Sequence, residues 1–89
     1  VLKLISLTVE SAHRHGRWVG VCGGIASDPQ AVPILVGLGV DELSVSIPAI
    51  AGVKTRIASL DKRACEALAK VALTLGTAEE VRAHLAQFV

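Results

Sequence analysis

Two short runs, residues 17–22 and 42–46, constrain this chain more than anything else in it. In the first, Trp18, Val19 and Val21 lead into the Gly23-Gly24 pair, and in the second Leu43 and Val45 alternate with serines. Both read as strands closed by turn residues. The stretch from Val21 to Val45 is long enough for a crossover helix, so the two strands are expected to be parallel neighbours with a right-handed connection.

The rest reads as helix. In residues 1–15, Leu2, Ile5, Val9 and Ala12 recur at three- and four-residue spacing, and Gly16 follows as a C-cap. Asp28 and Pro29 supply the N-cap and first turn of a second helix that runs through Ile34, Leu35, Val36 and Leu38 to Gly39, with Pro33 near its first turn. Pro48 starts a third, carrying Ile50, Val53 and Ile57 and ending near Leu60. Asp61 caps a fourth, whose stripe is Ala64, Leu68, Val71 and Leu75 and which Gly76 stops. Thr77 and Glu80 form a capping box for the last, where Val81, His84, Leu85 and Phe88 share a face. The expected order is αβαβααα: an α/β chain of two parallel strands and five helices.

Two strands make a poor free-standing sheet. The chain has 89 residues, of which 52% are apolar, yet Trp18 and Phe88 are its only aromatics. Such a Val-, Leu-, Ile- and Ala-rich mixture suits parallel strands covered on both faces, and a domain this small buries a modest share of its surface. The pattern fits the last quarter of a (β/α)8 barrel better than a self-contained fold, and an oligomer is expected to cover the remaining apolar faces and sheet edges. Nine basic and eight acidic residues, net charge +1, leave no basic stripe for a nucleic acid. The longest weakly polar run, residues 31–40, holds Pro33 and two glycines and is too short to span a membrane, so no membrane insertion is expected. Cys22 and Cys65 show no CxxC or metal-ligand spacing, which favours a reducing, cytoplasmic setting. A start at Val1, inside an apolar-periodic segment and without a leader, reads as a cut within a longer chain.

Cys22 is the candidate catalytic residue. It ends a strand and precedes a glycine turn, the place where α/β barrels assemble active sites. A thiol near its reference pKa of about 8.5 is mostly protonated at neutral pH and can give a proton as a general acid; position alone leaves the alternative of a buried, inert cysteine open. Gly20, Gly23 and Gly24 do not match a GxGxxG or P-loop spacing and read as a tight turn. His13 and His15 stand two apart on a helix and cannot chelate one ion; they suit a helix C-terminus. Ser44 and Ser46 share one side of the second strand, where they either hydrogen-bond a ligand or fill a tapered barrel interior. His84 reads as a packing histidine.

The segment Gly20-Val21-Cys22-Gly23-Gly24-Ile25-Ala26-Ser27-Asp28-Pro29 resembles the Cys-Gly-Glu-Leu-Ala-Gly-Asp segment of Enzyme I of the sugar phosphotransferase system and its relatives, pyruvate phosphate dikinase and phosphoenolpyruvate synthase. The run Leu35-Val36-Gly37-Leu38-Gly39-Val40-Asp41-Glu42-Leu43-Ser44-Val45-Ser46 looks like the same family's next strand and its approach, and Ala12-His13-Arg14-His15-Gly16 is similar to the end of its preceding helix. The resemblance covers nearly the whole chain and implies the C-terminal part of a phosphoenolpyruvate-binding (β/α)8 barrel, residues 1–89. It also implies transfer of the phosphoryl group of phosphoenolpyruvate to a protein histidine, with Cys22 protonating enolpyruvate, a histidine-containing phosphocarrier protein as partner, and magnesium held by ligands outside this chain. Gly24 stands where the family usually has Glu, which removes a carboxylate from the barrel mouth and points toward the fused multiphosphoryl transfer proteins. The family's phosphate-clamping arginines, metal-binding carboxylates and phosphohistidine have no counterpart in this sequence, so the chain alone is expected to be inactive.

Overall fold

The computed structural model describes residues 1–86. The elements run α1 (Leu2–Arg14), β1 (Gly20–Cys22), α2 (Val32–Leu38), β2 (Glu42–Ser44), α3 (Ile50–Ala58), α4 (Lys62–Thr74) and α5 (Ala78–Leu85), with 3-10 turns at Gly24–Ser27 and Ile47–Ala49. The two strands form a parallel pair in the register Gly20↔Glu42, Val21↔Leu43 and Cys22↔Ser44. Five helices and two parallel strands in the expected order make this an α/β chain.

The glycines that end helices act as the sequence implies. Gly16 takes φ +69° just after α1 and its N–H donates to the His13 carbonyl, and Gly39 closes α2 at φ +91°, donating to Val36. Both positions favour glycine because a Cβ is strained in that region. The capping box of α5 also forms: the Glu80 N–H donates to Thr77 Oγ1 at 3.1 Å, and Thr77 Oγ1 donates to Glu80 Oε1 at 3.2 Å.

Other elements depart from the sequence reading. β1 begins at Gly20, not Arg17, and Trp18 lies outside it, 67% exposed. β2 stops at Ser44, because the chain leaves the pairing and turns at Ile47–Ala49 around Pro48. α2 begins at Val32, not at Pro29: the Asp28 carboxylate accepts the Gln30 N–H at 2.9 Å, holding a local turn that delays the helix until Pro33 can occupy its first turn. Asp61 precedes α4 without a side-chain capping bond, and α4 ends at Thr74 with an extended Leu75, so Gly76 is not the residue that stops it.

The core centres on α2, where Val32, Pro33, Ile34 and Leu35 are all buried. α4 lies across it with Cys65, Leu68, Ala69 and Ala72 buried, while Val71 is exposed. The buried stripe is therefore rotated from the Ala64-Leu68-Val71-Leu75 line, because the small side chains of Cys65, Ala69 and Ala72 permit a close crossing that larger ones on the other line would hold apart. Ile34, Leu68, Ala69, Ala72 and Leu85 form one cluster, with Leu2, Leu38 and Val81 packed at its margin. Leu85 and half-buried Val81 and His84 thus present the expected face of α5; Phe88, assigned to the same face, lies outside the described residues.

Candidate functional site at the end of the parallel strands

Cys22 occupies the last position of β1 and is exposed. Gly23 follows at φ +97°, a conformation that turns the chain sharply away from the strand and that side-chain-bearing residues rarely adopt. The 3-10 turn Gly24–Ser27 then tucks Ala26 fully into the core. The tight turn expected at Gly23-Gly24 thus continues as a 3-10 turn to Ser27, which anchors the chain behind the thiol. Of the two cysteines, Cys22 is exposed and Cys65 is the buried one. Burial, with the nearby Asp61 carboxylate adding to it and Arg56 opposing, pushes the Cys65 thiol up, leaving it protonated and enclosed.

The strand ahead of Cys22 is fixed by a carboxylate that its sequence context does not advertise. Asp41 Oδ2 accepts the Val19 N–H at 2.7 Å and pairs with His13 Nε2 at 2.8 Å, while the Asp41 N–H donates to the Val19 carbonyl at 2.9 Å. One side chain thus ties the end of α1 and the approaches of both strands to a single point. The bond from His13, then that from Val19, holds the Asp41 carboxyl below its usual value of 3.8 against desolvation, and the charges of His13 and Lys62 add lesser effects in the same sense as the bonds. Its partners stand 22 and 28 residues away, so no local pattern could have singled it out. His15 Nδ1 donates to the Ser11 carbonyl at 2.8 Å, and the two histidines converge on no common partner.

Behind the turn, Arg82 of α5 reaches back to the loop that follows Cys22, donating to Gln30 Oε1 at 2.6 Å and Asp28 Oδ2 at 2.8 Å. Burial pushes the Asp28 carboxyl up, but the Arg82 and Gln30 hydrogen bonds and the Arg82 charge outweigh it and hold the group below 3.8. Ser44, the register partner of Cys22, is exposed on β2; Ser46 lies beyond the strand, extended and exposed. Gly24 adds no side chain, and a Cβ there would meet open space. Among the described residues no group of three or more His, Cys, Asp or Glu side chains is placed to hold a metal ion. No helix among them is long and apolar enough to cross a membrane.

A strand-end cysteine before a glycine turn coincides with the match found for residues 1–62, which fit the family described as PEP-utilising enzyme, PEP-binding domain. The chain belongs to this family. Among individual relatives, the chain is 45% identical to the phosphoenolpyruvate-protein phosphotransferase of Bacillus subtilis (strain 168) over 85 residues, which is 96% of this chain and 15% of that protein. It is 44% identical over 87 residues to multiphosphoryl transfer protein 2 of Escherichia coli (strain K12), 98% of this chain and 10% of that protein. The phosphotransferase of Geobacillus stearothermophilus is 46% identical over 81 residues, 91% of this chain and 14% of the relative. The chain thus spans a tenth to about a seventh of the length of the relatives it matches. The family match ends at the start of α4, while the likeness to these relatives continues through α4 and α5.

Proposed function

We propose that this chain is the C-terminal part of the phosphoenolpyruvate-binding (β/α)8 barrel of a phosphoenolpyruvate-protein phosphotransferase, or of a fused multiphosphoryl transfer protein, and that Cys22 is its proton donor. The observation that carries this reading is the exposed Cys22 thiol at the carboxyl end of a parallel strand, the end at which barrel enzymes build their sites. In the whole enzyme the phosphoryl group leaves the enol oxygen of phosphoenolpyruvate for a protein histidine. The enol carbon–carbon pair then takes the Cys22 proton at C3, giving pyruvate, and the electron pair of the S–H bond stays on sulfur until water reprotonates it. The enclosed Cys65 cannot serve this role.

Among the described residues no side chains are grouped to hold a divalent ion, and magnesium, where the enzyme uses it, would be held by residues elsewhere in the longer protein. The histidine-containing phosphocarrier protein is the expected acceptor further along, in sugar uptake, and the setting is cytoplasmic. The absent carboxylate at Gly24 favours the multiphosphoryl branch. Exposed Leu4, Leu7, Ile47 and Ile57 support a homo-oligomer, since such side chains gain most when another surface covers them. Light scattering across micromolar concentrations tests that part: a monodisperse monomer overturns it.

The proton-donor assignment is tested in the full-length enzyme by Cys22→Ala, with Cys65→Ala as comparator. Removing a positioned general acid costs about 10²- to 10⁴-fold in rate, so pyruvate formation in Cys22→Ala falls by that order and isotope incorporation at C3 loses its facial preference. Phosphorylation of the histidine is slowed but persists. Fully stereospecific turnover in Cys22→Ala removes the assignment.

A further inference from the structure

The register of the strand pair places a second functional group beside the thiol. A Cβ built on Gly20 would stand 3.8 Å from the Cβ of its partner Glu42, so paired positions send their side chains to the same face of the ribbon. Strand faces recur every second residue, and two residues on the pair is Cys22 and Ser44, both exposed, while Val21 and Leu43 between them turn inward and are half-buried. Adjacent strands lie about 4.8 Å apart, so the two side chains stand side by side on one face of the ribbon; the structure shows no hydrogen bond between them, and a change of χ1 is what would make one.

We propose that Ser44 is a positioning residue for Cys22, its hydroxyl donating a hydrogen bond to the sulfur as the thiol gives up its proton. This deepens the reading of Cys22 as proton donor and rests on it. When the S–H bond breaks, the electron pair remaining on sulfur becomes the acceptor, and Ser44 keeps its own proton throughout. The hydroxyl therefore steadies the thiolate between turnovers and keeps the sulfur aimed along the ribbon face instead of rotating into solvent. The chain otherwise offers the thiolate little: the 3-10 turn packed against β1 carries no titratable side chain, and β2 contributes Glu42, whose negative charge on the same face opposes the thiolate. A serine supplies a donor without adding a cation, which would lower the thiol pKa so far that little protonated acid remained.

The test reads the thiol itself and needs no substrate. In the 89-residue chain, the rate of Cys22 alkylation by iodoacetamide is followed against pH by peptide mass spectrometry, with Cys65 as an internal marker of folding because it is enclosed. A hydrogen bond to a charged group on an exposed site implies a rise in the Cys22 midpoint of about half to one pH unit on Ser44→Ala. Ser44→Thr returns the midpoint to that of the parent, and Ser44→Val, isosteric with Thr but without the hydroxyl, does not. This Thr/Val pair decides the matter even if Ala loosens the strand. Ser46→Ala, beyond the paired region, leaves the profile in place. Superimposable profiles for Ser44→Val and Ser44→Thr overturn the proposal. Failure of the isotope experiment with an intact Ser44 effect would instead remove the proton-donor reading while leaving the Ser44–Cys22 coupling standing.

Discussion

Gly37 of α2 meets the backbone of Cys65 in α4 with no room for a methyl group between them: a Cβ at Gly37 would overlap the Cys65 carbonyl and stand 2.9 Å from the Glu66 amide nitrogen. The obstacle is backbone on the opposing helix, so no side-chain rotation relieves it. This approach lets the small-residue stripe of α4 seat on α2, and it lies in the core on which the Cys22 turn rests through Ala26.

Gly37→Ala therefore opposes two effects. Replacing a helical glycine by alanine gains about 0.5–1 kcal/mol in propensity, whereas forcing extra volume into a close-packed contact costs about 1–3 kcal/mol or more. The second wins, and denaturant titration is expected to show a net loss of stability, with Cys65 becoming reactive to alkylation. A stability equal to or above that of the parent would mean that the two helices separate at little cost.

Asp41→Asn is expected to lower the melting temperature at pH 7 and to make the protein less sensitive to acid. The Asp41 carboxyl lies lower in the folded chain than in the unfolded one, so its stabilising contribution is present above about pH 3.8 and is lost as pH falls through the depressed folded value. The gap between parent and variant should close over that acid range. Circular-dichroism melts at pH 7 and near pH 3 check this, and a constant gap would show that Asp41 acts through shape alone.

The isolated chain is expected to bind phosphoenolpyruvate with magnesium only feebly and to transfer no phosphoryl group. Anchoring a multiply charged phosphate needs converging cationic side chains, and the carboxyl ends of the two strands present Cys22 and Ser44 instead, with Glu42 further back on the same face. Tight, magnesium-dependent heat in a calorimetric titration would contradict this.

Much of the architecture was legible because its signals are local. Gly16, Gly39 and the Thr77–Glu80 box each announce a helix end within four residues of themselves, the two short apolar runs around Val21 and Leu43 marked the strands, and the length of chain between them implied their parallel relation. Cys22 at a strand end was legible for the same reason. What escaped depends on partners distant in sequence. The start of α2 was misplaced because Asp28 closes a turn with Gln30 before the helix begins, and the α4 stripe was misread because its rotation is set by Gly37 of another helix. Asp41 and Arg82 went unnoticed as organising groups, since a single charged residue shows nothing of a partner that folding brings to it.

The reach of Arg82 has a consequence for the order in which the chain can mature. Its bond to Asp28 joins residues 54 positions apart, tying the last described helix to the loop immediately behind Cys22. In a polypeptide made from its N-terminus, Cys22 and its glycine turn precede Arg82, so that loop lacks its outer clasp until α5 has been added. Truncation anywhere before α5 would thus leave the strand-end thiol present but its supporting loop unfastened, so a helix that carries none of the chemistry is still needed to finish the loop behind it.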